Sequence, residues 1–270
     1  MIGFGILIAI FVLTVTHILM IVLGIIPSRF ASTRFPGKPL ADIAGKPMIQ
    51  WVYQRASQVF ENLYVATDDE RIVKTVEKFG GKVLMTSSDH ASGTDRCAEA
   101  MELAQQDLGI SFDVVVNIQG DEPFIEPNQL KLILKPFNDQ NTQIATLVKP
   151  FGKKDDIFNP NTPKVVIGAQ KQALYFSRSA IPFIRGVEKD SWINAHPFFK
   201  HVGLYAYRSH ILREIKNLDQ STLELAESLE QLRWLEKGYN IQVEITHQET
   251  LSIDTPDDLV RANAVAGNYL

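Results

Sequence analysis

The sequence predicts an α/β domain, a mostly parallel sheet flanked by helices. Short β-branched runs alternate with segments of helical period, and Gly, Pro and Asp separate them. The run Val114–Ile118 is strongly apolar, as a strand covered on both faces must be.

Val22–Ile26 reads as the first strand, ending at Pro27. Pro47–Val59 sets Met48, Ile49, Val52, Ala56 and Val59 at helical spacing. Leu63–Ala66 is a second strand. Asp69–Phe79 follows as a helix with Ile72, Val73, Val76 and Phe79 on one face, closed by Gly80 and Gly81. Lys82–Thr86 reads as a third strand, Thr94–Gln106 as a helix and Val114–Ile118 as a fourth strand. Pro127–Leu134 predicts a helix and Ile144–Val148 a strand. Beyond Pro150 the rhythm loosens. Lys164–Ile167, Ala173–Phe176 and Val202–Tyr207 read as strands between irregular stretches. Leu223–Glu236 predicts one continuous helix, Ile241–Ile245 a strand and Pro256–Ala266 a final helix. The expectation is a single domain over 20–270 with a smaller inserted or appended portion that binds substrate.

The 270 residues carry 27 basic and 31 acidic side chains, a formal net charge of -4. That balance argues against a general nucleic-acid binder. One cysteine, Cys97, excludes an intramolecular disulfide framework and a cysteine-based zinc cage. Its helical spacing with Met101 and Ala104 assigns it to the core.

No charged residue precedes Arg29, and Met1–Ile26 is almost wholly apolar. The run is longer than the roughly 20 residues of a membrane helix. Yet Ile21–Ile26 is needed as the first strand, which leaves residues 1–19, a helix of about 28 Å that barely crosses a bilayer. The expectation is a true start at Met20, with residues 1–19 a gene-start artefact. A membrane anchor is the alternative.

In an open α/β sheet, ligands bind beyond the carboxyl ends of the strands. The loop after the first strand carries Arg29, Arg34 and Lys38 and no acid. Such a loop can aim cations and backbone N–H groups at a polyphosphate, or can be a solvated basic loop. It contains neither a P-loop nor a dinucleotide glycine fingerprint. After the fourth strand come Gln119, Gly120 and Asp121. Asp121 can hold Mg²⁺ or cap a turn, and Gln119 can read a base edge or close that turn. In Ile253-Asp-Thr-Pro256, proline at the first helical position makes Thr255 the N-cap, with Asp258 as its capping-box partner. Asp254 then stands outside the helix, free for a metal, unless it is the cap itself. His201, Gly203, Tyr205 and Tyr207 alternate along one strand, so they share a face, with a gap at Gly203 or an ordinary half-buried core. Glu227 and Glu230 sit three apart on the expected helix, as a site pair or a solvated pair.

These segments together carry a resemblance. Ile25-Ile-Pro-Ser-Arg-Phe-Ala-Ser-Thr-Arg-Phe-Pro-Gly-Lys-Pro-Leu40 resembles the opening signature of sugar-acid cytidylyltransferases. Asn117–Pro123, Phe176–Arg178, His201–Arg208, Leu229–Arg233 and Ile253–Pro256 follow in the order of the 3-deoxy-manno-octulosonate (Kdo) cytidylyltransferase family. The resemblance runs from about Met20 to Ala266. It implies a Rossmann-like nucleotidyltransferase fold with a smaller sugar-binding and dimerisation portion. It implies transfer of CMP from CTP to Kdo with release of pyrophosphate, Mg²⁺ as cofactor, a homodimer and a cytoplasmic enzyme of lipopolysaccharide synthesis.

By position, Arg29, Arg34 and Lys38 would bind the triphosphate. Ser92, Gln119 and Arg96 would hold the rest of CTP, and Asp121 and Asp254 the metal. Arg178, His201, Tyr205, Glu227, Glu230 and Gln231 would hold Kdo. Ser28 stands where that family usually has Ala, and Phe30 where Tyr is common. The rival expectations are a cytidylyltransferase for 8-amino-Kdo or a sialic-type sugar, and a membrane-tethered nucleotide binder without catalysis.

Overall fold

The computed structural model describes residues 20–31, 35–153, 155–249 and 251–269. Residues 1–19 and Arg34 therefore lie outside the described residues, with the expectations made for them. Among the described residues, no helix is long and apolar enough to cross a membrane.

The first half follows the predicted alternation. Strand β1 (Val22–Ser28) leads through the short hairpin β2 (Asp42–Ile43) and β3 (Lys46–Pro47) to helix α1 (Met48–Ala56). Then come β4 (Asn62–Thr67), α2 (Glu70–Lys78), β5 (Val83–Met85), α3 (Gly93–Leu108), β6 (Val114–Asn117) and α4 (Pro127–Leu132). Local chemistry sets the helix ends. Asp69 caps α2 by accepting from the Arg71 N–H at 2.9 Å. Ser92 and Asp95 close a capping box on α3, which Gly109 ends at φ +67.

The second half holds β7 (Ile144–Pro150), β8 (Lys164–Ile167), β9 (Ala173–Ser177), α5 (Trp192–Ala195), β10 (Phe199–Arg208) and α6 (Ser209–Ile215). It closes with α7 (Thr222–Glu227), α8 (Gln231–Glu236), β11 (Ile241–Ile245) and α9 (Pro256–Val265).

Among the described residues the main sheet has nine strands, with the path β11-β7-β10-β6-β1-β4-β5. β1 is parallel to β4 and β6, β4 to β5, and β11 to β7. β10 runs antiparallel between β6 and β7, and its outer end pairs with the β8–β9 hairpin. Two apolar layers sandwich the sheet. Leu23, Ile25 and Val115 pack toward α3, α6 and α8, while Ile26, Val116 and Ala206 pack toward α1, α2 and α4. The inner parallel strands β1, β4 and β6 are buried on both faces, which explains their apolar runs, while β5 and β11 at the two edges are partly exposed.

Two expectations are corrected. Leu223–Glu236 is not one helix. α7 ends at Ser228, whose backbone is left-handed at φ +50, and α8 starts anew at Gln231. The buried pair of Arg233 and Glu224, at 2.6 and 2.7 Å, folds α8 back on α7. Glu227 and Glu230 therefore do not share a helical face. The strand carrying His201 is also longer than expected and irregular, because its register against β7 slips between Val202 and Tyr205.

Candidate active site at the carboxyl ends of β1 and β6

β1 and β6 are parallel neighbours, so the loops after them emerge on one edge of the sheet. They form a crevice of about 390 Å³, lined by Ser28, Arg29, Lys38, Gln119, Gly120 and Asp121 among others. That volume falls in the range of small-molecule sites. Gly120 makes the tight approach possible. A Cβ there would lie 2.8 Å from the Pro27 carbonyl oxygen and 2.9 Å from Ser28 Oγ. Gly37 serves the same loop, turning it at φ +71 under the Phe30 ring just before Lys38.

Asp254 arrives from the far end of the chain. The Ile253 N–H donates to the Asp121 carbonyl at 2.9 Å, which lays this segment beside the β6 loop. Ile253 itself is buried with Ile43, Met48, Trp51 and Phe124. Thr255 is the N-cap of α9, in a reciprocal capping box with Asp258. Asp258 also accepts from the Asp254 N–H and from Arg261. Burial pushes the Asp258 carboxyl up, but these bonds together hold it down at about 2. Asp254 is thus outside the helix, and its side chain is turned to the crevice cation. Lys38 Nζ lies 2.7 Å from Asp121 Oδ2 and 3.3 Å from Asp254 Oδ1.

The chemistry of this donor set suits a hard divalent cation, since two carboxylates converge on one point that already holds a positive charge. Among the described residues, no three His, Cys, Asp or Glu side chains gather in this way.

A second hollow, of about 270 Å³, is lined by Glu122, His201, Gly203 and Ser252 among others. Gln119 stands at its boundary with the crevice, 3.6 Å from where a Cβ on Gly203 would sit. The His201 ring packs at 5.3 Å on Phe176 and at 5.2 Å on Tyr205, with Nε2 3.1 Å from Thr146 Oγ1. Burial brings His201 down to about 4, so its imidazole is neutral at neutral pH.

Behind it lies a polar group of residues. The Tyr205 hydroxyl points toward Thr146 and that of Tyr207 toward Thr94 and Asn117, without closing an ordinary hydrogen bond to them. Burial raises both tyrosines well above their ordinary range, and the Glu230 charge acts in the same direction. Glu230 accepts from Thr94 Oγ1 at 2.9 Å. Burial raises its pKa, while hydrogen bonds from Thr94 and Ser92 hold it back. Gln231 is buried, and its Nε2 finds no partner among the described residues.

The remaining expected site residues fall elsewhere. Ser92 serves first as the α3 cap, near Glu230. Arg96 is 1% exposed, and its guanidinium donates to Asp68 at 2.8 Å and Thr86 at 2.6 Å. It ties together the ends of β4 and β5. Glu227 accepts from Ser177 Oγ at 2.6 Å and from the Arg178 N–H at 2.9 Å. Arg178 donates to the carbonyls of Glu227, Pro160 and Ser228. Cys97 is fully buried, as its spacing predicted.

Sequence reasoning gave no role in the site to Gly120, Thr94 or Asn117. Only Gly120 left a local signal, a glycine between a buried strand and a carboxylate.

The comparisons agree with this architecture. The Cytidylyltransferase family model matches residues 23–245. A 3-deoxy-manno-octulosonate cytidylyltransferase of Parabacteroides distasonis is 60% identical over 250 residues, covering 91% of this chain and 98% of that protein. The enzyme of that name from Porphyromonas gingivalis is 52% identical over 246 residues, covering 90% and 95%. The solved structure of CMP:2-keto-3-deoxy-manno-octonic acid synthetase complexed with CTP has 42% identity and a TM-score of 0.83, covering 92% of this chain and 99% of that one. At these identities and coverages, the chain belongs to the 3-deoxy-manno-octulosonate cytidylyltransferase family.

Proposed function

We propose that this chain transfers CMP from CTP to Kdo, giving CMP-Kdo and pyrophosphate. The observation that carries this reading is the convergence of Lys38, Asp121 and Asp254 beside the Arg29 loop, next to a hollow with different chemistry. The crevice has the charge to take a triphosphate. The hollow is lined by hydroxyl, amide and carboxyl groups, among them those of Thr162, Gln248 and Glu122, suited to a polyhydroxy acid.

The anomeric hydroxyl of Kdo forms a bond to the α-phosphorus, and the bond to the pyrophosphate oxygen breaks. Little covalent help from protein is needed, so positioning and charge neutralisation dominate. Arg29 and Lys38 neutralise phosphate oxygens, with Arg34 as the third cation of that loop. Gln119 and Ser92 hold the nucleoside end. His201, Tyr205, Glu230 and Gln231 orient the sugar acid, and Arg178 and Glu227 frame it. Asp121 and Asp254 would hold Mg²⁺, which when bound polarises the α-phosphate and lowers the hydroxyl pKa.

We place the reaction in the cytoplasm, where CTP is made, as the activation of Kdo for lipopolysaccharide. A homodimer fits the apolar side chains turned outward on the smaller portion, with Phe183 73% exposed and Leu174 and Leu225 also exposed. A panel of acid sugars with CTP and Mg²⁺, scored by pyrophosphate release, tests the function. Kdo is expected to lead. Preference for an 8-amino or sialic-type sugar, or no release with any of them, would overturn it.

A further inference from the structure

A further buried cation, unlike Arg96 and Arg233 in having no carboxylate partner among the described residues, lies outside the site described above. Lys164, on β8, is fully buried, and among the described residues its ammonium meets no carboxylate at hydrogen-bond distance. It donates instead to three backbone carbonyls, those of Asn159 at 2.8 Å, Thr162 at 2.9 Å and Arg178 at 2.6 Å. A lysine has three N–H donors, so this set is complete. Burial draws its pKa below the ordinary lysine range, with Arg178 acting in the same direction and Asp156 and Glu227 against it. A fully buried charge is expensive to keep, and here a hydrophobic side chain of similar length would fill the same space.

The bonds lead toward the sugar hollow. Lys164 fixes the 159–162 turn and the backbone of Arg178 at once. From there the Arg178 guanidinium donates to Pro160 in that turn, and to Glu227 at 2.6 Å and Ser228 at 3.1 Å across the gap. The Glu227 carboxylate returns the link through Ser177 Oγ and the Arg178 N–H. Ser228 is the left-handed corner between α7 and α8, a strained conformation for serine. Glu230 and Gln231 follow within three residues, so the corner decides where they point. We propose that Lys164 is a positioning residue for the sugar acid, fixing through Arg178 the Ser228 corner that sets Glu230 and Gln231 in place in the buried polar group behind the hollow. This rests on the functional reading above, in which the sugar acid sits against those two side chains.

Steady-state kinetics on the full chain test it, with each substrate varied at saturation of the other. Wild-type turnover of Kdo is the entry condition, and its absence would defeat the functional reading rather than this one. Lys164→Met is expected to raise the KM for Kdo by about tenfold, since sub-ångström misplacement of binding groups costs rates of this order. The KM for CTP should stay within about twofold, because the Lys38 crevice lies on other loops. Lys164→Gln keeps two donors and should give an intermediate rise. It carries the test alone if the methionine variant does not fold.

In an Arg178→Ala background the link is already cut, so adding either Lys164 change should raise the KM for Kdo no further. A folded Lys164 variant with wild-type KM for Kdo, an equal rise for both substrates, or additive effects in the double variant would each overturn the proposal.

Discussion

Gly120→Ala adds a single methyl group, and the structure says where it must go. The new Cβ would sit 2.8 Å from the Pro27 carbonyl oxygen and 2.9 Å from Ser28 Oγ. Ordinary contact begins near 3.4 Å, so about 0.6 Å has to be found. The serine hydroxyl can rotate away. The Pro27 carbonyl cannot, because β1 is held between β4 and β6 and Pro27 lies in register with Ala66. The Gly120–Asp121 turn must yield instead, which draws the Asp121 carboxylate from its 2.7 Å contact with Lys38. Overpacking of this kind costs about 1–3 kcal/mol, or several degrees in melting temperature for a chain of this size.

The loss of activity should be larger than stability alone predicts. A shift of about 1 Å in a catalytic group can cost about a hundredfold, so half that shift should cost on the order of tenfold in kcat/KM for CTP. Gly24→Ala is the control. Its Cβ would press on the Leu63 and Phe60 side chains, at 2.9 and 3.0 Å, away from the crevice. Gly24→Ala should lower the melting temperature and leave kcat within about twofold. Thermal melts and CTP kinetics on both variants decide the matter. A Gly120→Ala protein with turnover within twofold of wild type would refute the reasoning.

Two further outcomes follow from the same geometry. Asp121→Asn and Asp254→Asn should each fold and lose on the order of a hundredfold or more in turnover, as removal of one electrostatic contact at a reacting centre does. Near-full activity of either at limiting Mg²⁺ would reduce that residue to a turn former. His201 is held neutral, at about 4 against an ordinary 6.5. The unfolded chain therefore binds the extra proton first as pH falls, and stability contributed at neutral pH is lost between about 6.5 and 4 by up to about 3 kcal/mol. Glu230, whose pKa is raised, works in the opposite direction, and the depressed Asp258 acts only below the ordinary carboxylate range. The comparison is therefore wild type against His201→Gln, by chemical denaturation at pH 7 and pH 4.5. Equal losses in both would show that the ring takes up its proton without penalty.

The parallel core was legible because its rule is local. Strands buried on both faces read as apolar runs, and β1, β4 and β6 each sit within two residues of the expected bounds. The α9 cap was legible for the same reason, since Thr255, Pro256 and Asp258 are near neighbours that satisfy one another. What escaped was set by contacts distant in sequence. The serine at 228 does not announce a left-handed backbone, and the Glu224–Arg233 pair that stabilises the break joins residues nine apart, which lie on opposite faces of a straight helix and meet only once the chain has turned back. Arg96 is a candidate CTP contact only through the family resemblance. Its burial depends on Asp68 and Thr86, which arrive from two other strands.

Lys38 bears on the metal question. Its ammonium touches both carboxylates, so their oxygens lie no more than about 6 Å apart. Two like charges at that distance repel by about 3 kcal/mol at an effective dielectric constant near 20. Both carboxylates are partly exposed, at 27% and 40%, and solvent screening reduces the repulsion to about 1 kcal/mol. Lys38→Met removes the neutralising charge and keeps most of the apolar stem. The variant should melt about 2–4 °C below wild type without divalent cation. Mg²⁺ should recover that deficit, because it no longer competes with an ammonium for the same oxygens. In the wild-type chain the same Mg²⁺ titration should move the melting temperature less. Thermal melts of both proteins across a Mg²⁺ series, with Asp254→Asn added to Lys38→Met as the control that abolishes the gain, test the point directly. Identical Mg²⁺ responses in wild type and Lys38→Met would mean that the cation does not bind between Asp121 and Asp254.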